Sequence, residues 1–295
     1  AINNHDKAEI VAQNYLSAYP NQKYTGEMHR IQGTADYRFG RYQEAVKAFN
    51  RYLKENAEPV RRRDALYMLG MSYYQTGVYS QVPVVLGEVT TAKDALAQNA
   101  YLHMGLAYLQ LADKNKARMA FEQAAASDAD LKIKEQAAYN YALCIHETAY
   151  SAFGESVTVF ENFLNEFPNS AYTDQVSSYL VEVYMNTRSY DAALKSIERI
   201  AHPGKAILEA KQKILFQLGA QSFANTQFEQ AINHFSQSIA LGQYNLQTKA
   251  DALYWRGESY YRLNRMQEAA RNFNDYLSIT PQKNTEMYAL AYYNL

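Results

Sequence analysis

Apolar and small residues along this chain return to the same helical face in a long, regular period. Leu66, Leu69, Gly70 and Tyr73 fall at i, i+3, i+4 and i+7, one stripe of a helix. Ala269, Phe273 and Tyr276 form a matching stripe in a following helix. Gly33, Gly70, Gly105, Gly219 and Gly257 each mark a stripe of the first kind, and after four of them an Ala-x-x-x-Phe pair begins twelve residues on. Counting weaker copies, the period is 35 to 39 residues. Such a period predicts stacked helical hairpins, each burying its face only against its neighbours.

A glycine inside a helix costs about 1 kcal/mol relative to alanine. Five at one phase therefore serve a packing need: a small residue at a helix crossing lets the axes approach to the near end of the usual ~8–10 Å range. The sharpest copy reads Leu253-x-x-Arg256-Gly257-x-x-Tyr260, then Ala269-x-x-x-Phe273-x-x-Tyr276 and Pro281. A second has Leu66, Leu69, Gly70 and Tyr73, then Gly77, Tyr79, Leu86 and Val89. Others run through Tyr101, Met104, Gly105, Tyr108, Ala117 and Phe121, and through Leu215, Leu218, Gly219, Phe228, Ala231 and Phe235. Near the start, Gly33, Gly40, Tyr42, Ala45, Phe49 and Tyr52 keep the phase. Two copies are degenerate. One places Cys144 in the glycine slot and Ser156 in the alanine slot; the next places Val181 and Ala193 there, followed by Ile197. Pro83 falls within a turn of Ser80, a candidate N-cap, where proline is tolerated, so that second helix is retained.

These residues resemble the tetratricopeptide repeat, W-x-x-L-G-x-x-Y, then A-x-x-x-F, then P. The family's first tryptophan is absent from every copy, and Trp255 lies elsewhere in its repeat. The resemblance implies an all-α, right-handed α-solenoid of helix-turn-helix repeats. Residues 1–24 are expected to hold the second helix of a preceding repeat, 25–281 seven repeats, and 282–295 the first helix of a truncated one. Because Ala291-Tyr-Tyr-Asn-Leu295 is not the polar cap that usually ends such arrays, the chain is expected to be a fragment of a longer protein.

Composition narrows the function without naming it. Apolar residues make up 48% of 295, enough for a core, and six prolines argue against a strand-and-turn protein. With 29 basic and 30 acidic residues, no global field draws in nucleic acid or an anionic membrane. Arg61-Arg62-Arg63, the one basic run, reads as a solvated helix start. One cysteine excludes an internal disulfide, and no apolar stretch is long enough to span a membrane. The 27 tyrosines suit half-buried helix seams, where a flat ring packs and a hydroxyl reaches water.

No catalytic constellation emerges. The six histidines show no i, i+4 pair, Cys144 has no placed base, and the glycines are isolated and helical. No enzyme activity, cofactor or metal is expected. Function is expected instead in the groove that first helices line in this family. Its candidate residues are Arg30, Tyr37, Arg38, Tyr67, Tyr74 and Gln75 in the first repeats, and Phe216, Phe223, Asp251, Tyr254, Glu258, Tyr261 and Arg262 in the last. Aromatics interleaved with charges suit capture of a protein or peptide ligand, with packing between first helices as the alternative use of each tyrosine. The groove positions that clamp a chaperone's terminal carboxylates in one subfamily hold Arg30 and Thr34, Tyr67 and Met71, Leu102 and Leu106 here, so that clamp is absent.

The stretches Phe160–Tyr172 and Ala252–Tyr261 resemble bacterial cell-envelope repeat proteins, among them the outer-membrane barrel-assembly lipoprotein and the periplasmic partner of the Tol–Pal system. The expectation is a non-catalytic binding scaffold, a segment of a larger periplasmic or outer-membrane-associated protein. The rivals are a self-assembling structural module and a substrate-recruiting part of a larger enzyme.

Overall fold

A computed structural model describes residues 5–55, 59–148, 154–280 and 283–295; Pro281, expected to close the last repeat, lies outside them. The regular elements are all helices, with no strand among the described residues. They divide into two compact units, 1–148 and 149–295. The first holds α1 (His5–Ala18), α2 (Thr25–Arg38), α3 (Tyr42–Lys54), α4 (Pro59–Gln75), α5 (Val82–Gly87), α6 (Ala95–Gln110), α7 (Lys114–Ala125) and α8 (Leu131–Thr148). The second holds α9 (Glu155–Glu166), α10 (Thr173–Thr187), α11 (Tyr190–Glu198), α12 (Lys205–Ala224), α13 (Phe228–Ala240), α14 (Leu246–Arg262), α15 (Met266–Ile279) and α16 (Glu286–Tyr293). Within each unit a first helix packs on its own second helix, the second packs on the next first helix, and successive first helices touch side by side: α2, α4, α6 and α8 in one unit, α10, α12 and α14 in the other.

The glycine slots are crossings, as their period implies. Each faces the residue sixteen positions later. A Cβ at Gly105 would stand 2.5 Å from the Phe121 ring, and one at Gly219 2.6 Å from Phe235. At Gly33 and Gly257 the distances to Phe49 and Phe273 are 3.0 Å, and Gly70 faces Leu86. All five opposing side chains are fully buried, so they cannot swing away. Cys144 fills its slot as a buried thiol, and burial raises its pKa to about 11, which keeps it protonated.

The hairpin turns repeat just as strictly. Seven residues after the slot, Gly40, Gly77, Ala112, Arg188, Thr226 and Asn264 all have positive φ. In five of these turns the next amide donates to a carbonyl five residues back, as in Arg41 N to Asp36 O at 2.8 Å and Asp113 N to Tyr108 O at 2.9 Å. This is the Schellman closure, and only Gly40 and Gly77 meet its left-handed backbone without a Cβ penalty. The Pro83 hairpin departs from the rest. A 3-10 turn at Tyr79–Gln81 precedes a six-residue α5 whose N-cap position is Gln81, not Ser80, with Pro83 in the first turn.

Repeats are tied together seven residues before the slot. The buried Gln98 amide donates to the Ser127 carbonyl (2.6 Å) and accepts from Asp130 N (2.7 Å), holding the loop that leads to α8. Gln212 does the same to both backbone groups of Asn245. Arg63 occupies this position in its repeat. It donates to Val89 O and bidentately to Asp94 at 2.6 and 2.7 Å, so it is a clamp and not the solvated charge expected of it. Its run-mates Arg61 and Arg62 also pair, with Glu27 and Glu88.

Candidate functional site

At 100° per residue, positions three before and four after the slot lie only about 40–60° from the glycine, while the position five after it points about 140° away. The candidate residues divide along this line. Tyr37, Tyr74 and Phe223, four after the slot, meet the first residue of the following helix edge-on: Tyr42 at 5.8 Å, Tyr79 at 5.6 Å and Phe228 at 5.3 Å. They brace the hairpin turn. They are engaged in packing there, and not as the outward groove positions expected of them. Tyr67 and Phe216, three before the slot, are half-buried against neighbouring helices. Burial raises the Tyr67 hydroxyl to about 12. Arg30 at the same position is held by Glu27 through two hydrogen bonds of 2.6 and 2.9 Å.

Tyr254 and Glu258 leave the surface altogether. Tyr254 sits in the core with Phe273, Tyr276 and Ala291, and its hydroxyl donates to Glu258. Glu258 also accepts from Asn294 at 2.8 Å. Tyr261 lies seven residues beyond Tyr254, on the same face of α14, yet is 43% exposed. Tyr254 shares its core cluster with Ala291 of α16, and that cluster does not include Tyr261. Helical phase alone could not reveal that. The exposed candidates are therefore Arg38 and Gln75 in the first unit, and Tyr261 and Arg262 in the second.

Outward positions of α14 that periodicity had passed over form a hollow in the second unit. It has a volume of about 370 Å³ and is lined by Phe216, Gln247, Asp251, Trp255, Tyr276, Thr285 and Met287. Asp251 was noted from the sequence; Trp255 and Gln247 were not connected with it. The signal was available in their shared outward phase on one helix. Burial raises the Asp251 carboxyl above the usual aspartate range, and the Gln247 hydrogen bond opposes that shift.

Nothing among the described residues groups three or more His, Cys, Asp or Glu so as to hold a metal ion. No described helix is long and apolar enough to cross a membrane.

Comparison with known proteins agrees with the hairpin architecture. Profiles described as tetratricopeptide repeat match residues 32–80 and 222–284, 64–98, and 98–131, together more than half of the chain. No curated protein matches. Among solved structures, a tetratricopeptide repeat protein from Parabacteroides merdae is 18% identical over 85% of this chain and 92% of its own, with a TM-score of 0.43. The TPR2AB domain of yeast Sti1, solved as a pHSP90 complex, is 11% identical over 92% of this chain and 99% of its own, with a TM-score of 0.46. The C-terminal part of a TPR repeat-containing protein from Cytophaga hutchinsonii is 14% identical over 88% and 97%, with a TM-score of 0.41.

Proposed function

Because the chain belongs to the tetratricopeptide repeat family, we propose that it is a non-catalytic scaffold that binds a protein or peptide on the first-helix face of its units. The observation that carries this reading is the division of labour along each first helix. Positions in phase with the glycine are consumed by packing, while positions five after it leave Arg38, Gln75 and Arg262 in solvent, with Tyr261 beside the last. Large amphipathic side chains on a rigid helical platform suit recognition of a peptide segment. The family's interaction role supports the same reading.

The bacterial cell envelope is the setting we propose, on the strength of the Phe160–Tyr172 and Ala252–Tyr261 resemblance. Fractionation of cells expressing the full-length protein tests it, and recovery from the cytoplasm alone contradicts it.

Tyr67 and Tyr74 are poor probes of binding because they pack the array. Arg38→Glu and the pair Tyr261→Ala/Arg262→Glu touch only exposed positions. Affinity capture from the source cells should lose specific partners with one or both variants while the helical signal is unchanged. Identical partner sets for wild type and both variants would reject the first-helix face.

A further inference from the structure

The hollow on α14 has a chemistry of its own. Asp251 is the sole charged side chain in its lining. Gln247 Nε2 donates to Asp251 Oδ1 at 2.8 Å. That contact sets the amide's orientation, since the opposite one would turn its oxygen against a carboxylate. Gln247 Oε1 is consequently buried with no hydrogen-bond partner among the described residues. The polar end of the hollow therefore offers the Asp251 carboxylate, and the Gln247 side chain beside it carries an unpaired amide oxygen. A buried acceptor without a donor is destabilising, and a donor-bearing ligand removes that penalty. The remaining wall is mainly apolar and aromatic, with Phe216, Trp255, Tyr276 and Met287, and Thr285 among them. A volume of about 370 Å³ falls at the small end of the usual ~300–1,000 Å³ ligand range, and suits one long side chain.

Resting on the reading of the first-helix face as a peptide-binding surface, we propose that this hollow receives an arginine side chain of the bound peptide. The guanidinium donates to Asp251 and to Gln247 Oε1 while its plane lies against the indole of Trp255. Arginine fits better than lysine because its planar fork of donors can serve two separate acceptors and stack on an aromatic face at once. The ammonium of lysine is a point donor that stays strongly hydrated.

Trp255 is the one tryptophan of the chain, so its fluorescence reports on this hollow directly. The whole chain is titrated with acetyl-arginine amide, acetyl-lysine amide and acetyl-citrulline amide, the last being uncharged but nearly the same shape. The expected result is a saturable fluorescence change with arginine at millimolar concentration, and at least about tenfold weaker binding of the other two, the factor that 1.4 kcal/mol represents. Asp251→Asn should reduce arginine binding by about tenfold or more, and Gln247→Leu by less, since Asp251 supplies a countercharge as well as an acceptor. Asp251→Asn relieves a desolvated charge, so it should fold; circular dichroism checks this. An equal response to citrulline, an equal response to lysine, no saturable response, or full binding by Asp251→Asn would each overturn the proposal. If wild type still captures partners through Tyr261 and Arg262, such a result removes the arginine pocket alone and leaves the first-helix face standing.

Discussion

The hairpins α6–α7 and α10–α11 carry the same repeat and are held together by different forces. In α6–α7, Gly105 lets the Phe121 ring press onto the helix backbone, and Asp113 caps α7 by accepting from Lys116 N at 3.1 Å. In α10–α11 the slot holds Val181, a larger residue, and α10 packs more extensively on α9 and α12 than on α11. A polar cluster does the joining there. The buried Glu161 of α9 accepts from Ser196 and takes two hydrogen bonds of 2.8 Å from Arg199, while Tyr184 of α10 bonds Ser196. Close apolar packing makes a self-sufficient hairpin. Where the small residue is missing, the second helix is tied to the neighbouring repeat instead.

The largest break in this comparison should come from Arg199→Ala. It leaves the buried Glu161 carboxylate with Ser196 as its hydrogen-bond donor, a loss of about 2 kcal/mol, less than for a fully buried pair because the Arg199 side chain is 56% exposed. Hydrogen exchange should accelerate in α9 and α11 and stay unchanged in α6 and α7. Wild-type protection in α11 would show that the cluster does not hold this hairpin.

Alanine in the two slots should then act in different ways. At Gly105 the steric cost of overpacking, about 1–3 kcal/mol, exceeds the helix-propensity gain of about 1 kcal/mol, because Phe121 is fully buried. At Val181, which is half-buried, alanine should change stability by no more than about 0.5 kcal/mol. Local exchange free energies of α6–α7 and α10–α11 read both, and equal effects would erase the distinction.

A smaller and opposite effect is expected at the turns. Thr226 holds φ at 60° where Gly40 and Gly77 serve in the first unit. Thr226→Gly should stabilise its hairpin by about 1 kcal/mol. A lower unfolding midpoint for that variant would contradict the turn assignment.

The smallest effect concerns acid. The Arg63 guanidinium, with help from the Ala97 amide, lowers the Asp94 carboxyl to about 2 from an ordinary 3.8. A depressed folded-state pKa adds stability above about pH 4, and this is lost as pH falls toward 2. The Asp94 side chain is 44% exposed, so screening keeps the contribution below about 1 kcal/mol. The stability gap between wild type and Asp94→Asn should narrow as pH falls from about 5, ~1 unit above the unfolded pKa, to about 2, the folded one. A constant gap would show that the Arg63 clamp does not depend on charge.

How much of this was legible from residues alone follows from the kind of force involved. Sterics wrote the clearest signal, since a crossing that admits only a small residue repeats as glycine, with its buried partner always sixteen positions on. The loop clamps left no such mark. Arg63, Gln98 and Gln212 share a position but not a residue type, and their partners include backbone groups 26 to 33 residues away. The left-handed turns were half visible: Gly40 and Gly77 announce them, while Ala112, Arg188 and Thr226 conceal them. Among the candidate site residues, Tyr254 and Tyr261 lie within about 20° of each other on α14, yet one is buried in the cluster with Ala291 and the other is exposed.

The most direct test of the central claim, that glycine slots are steric crossings, is a double-mutant cycle on Gly105 and Phe121. Gly105→Ala, Phe121→Ala and the double variant are compared by the exchange free energy of α6 and α7. Alanine removes the whole ring that an added Cβ at Gly105 would strike, whereas leucine, as Leu86 shows opposite Gly70, would still crowd it. The double variant should therefore be more stable than the sum of the single losses predicts, by at least about 1 kcal/mol. Additive losses would show that the glycine is not there for Phe121, and would contradict the account.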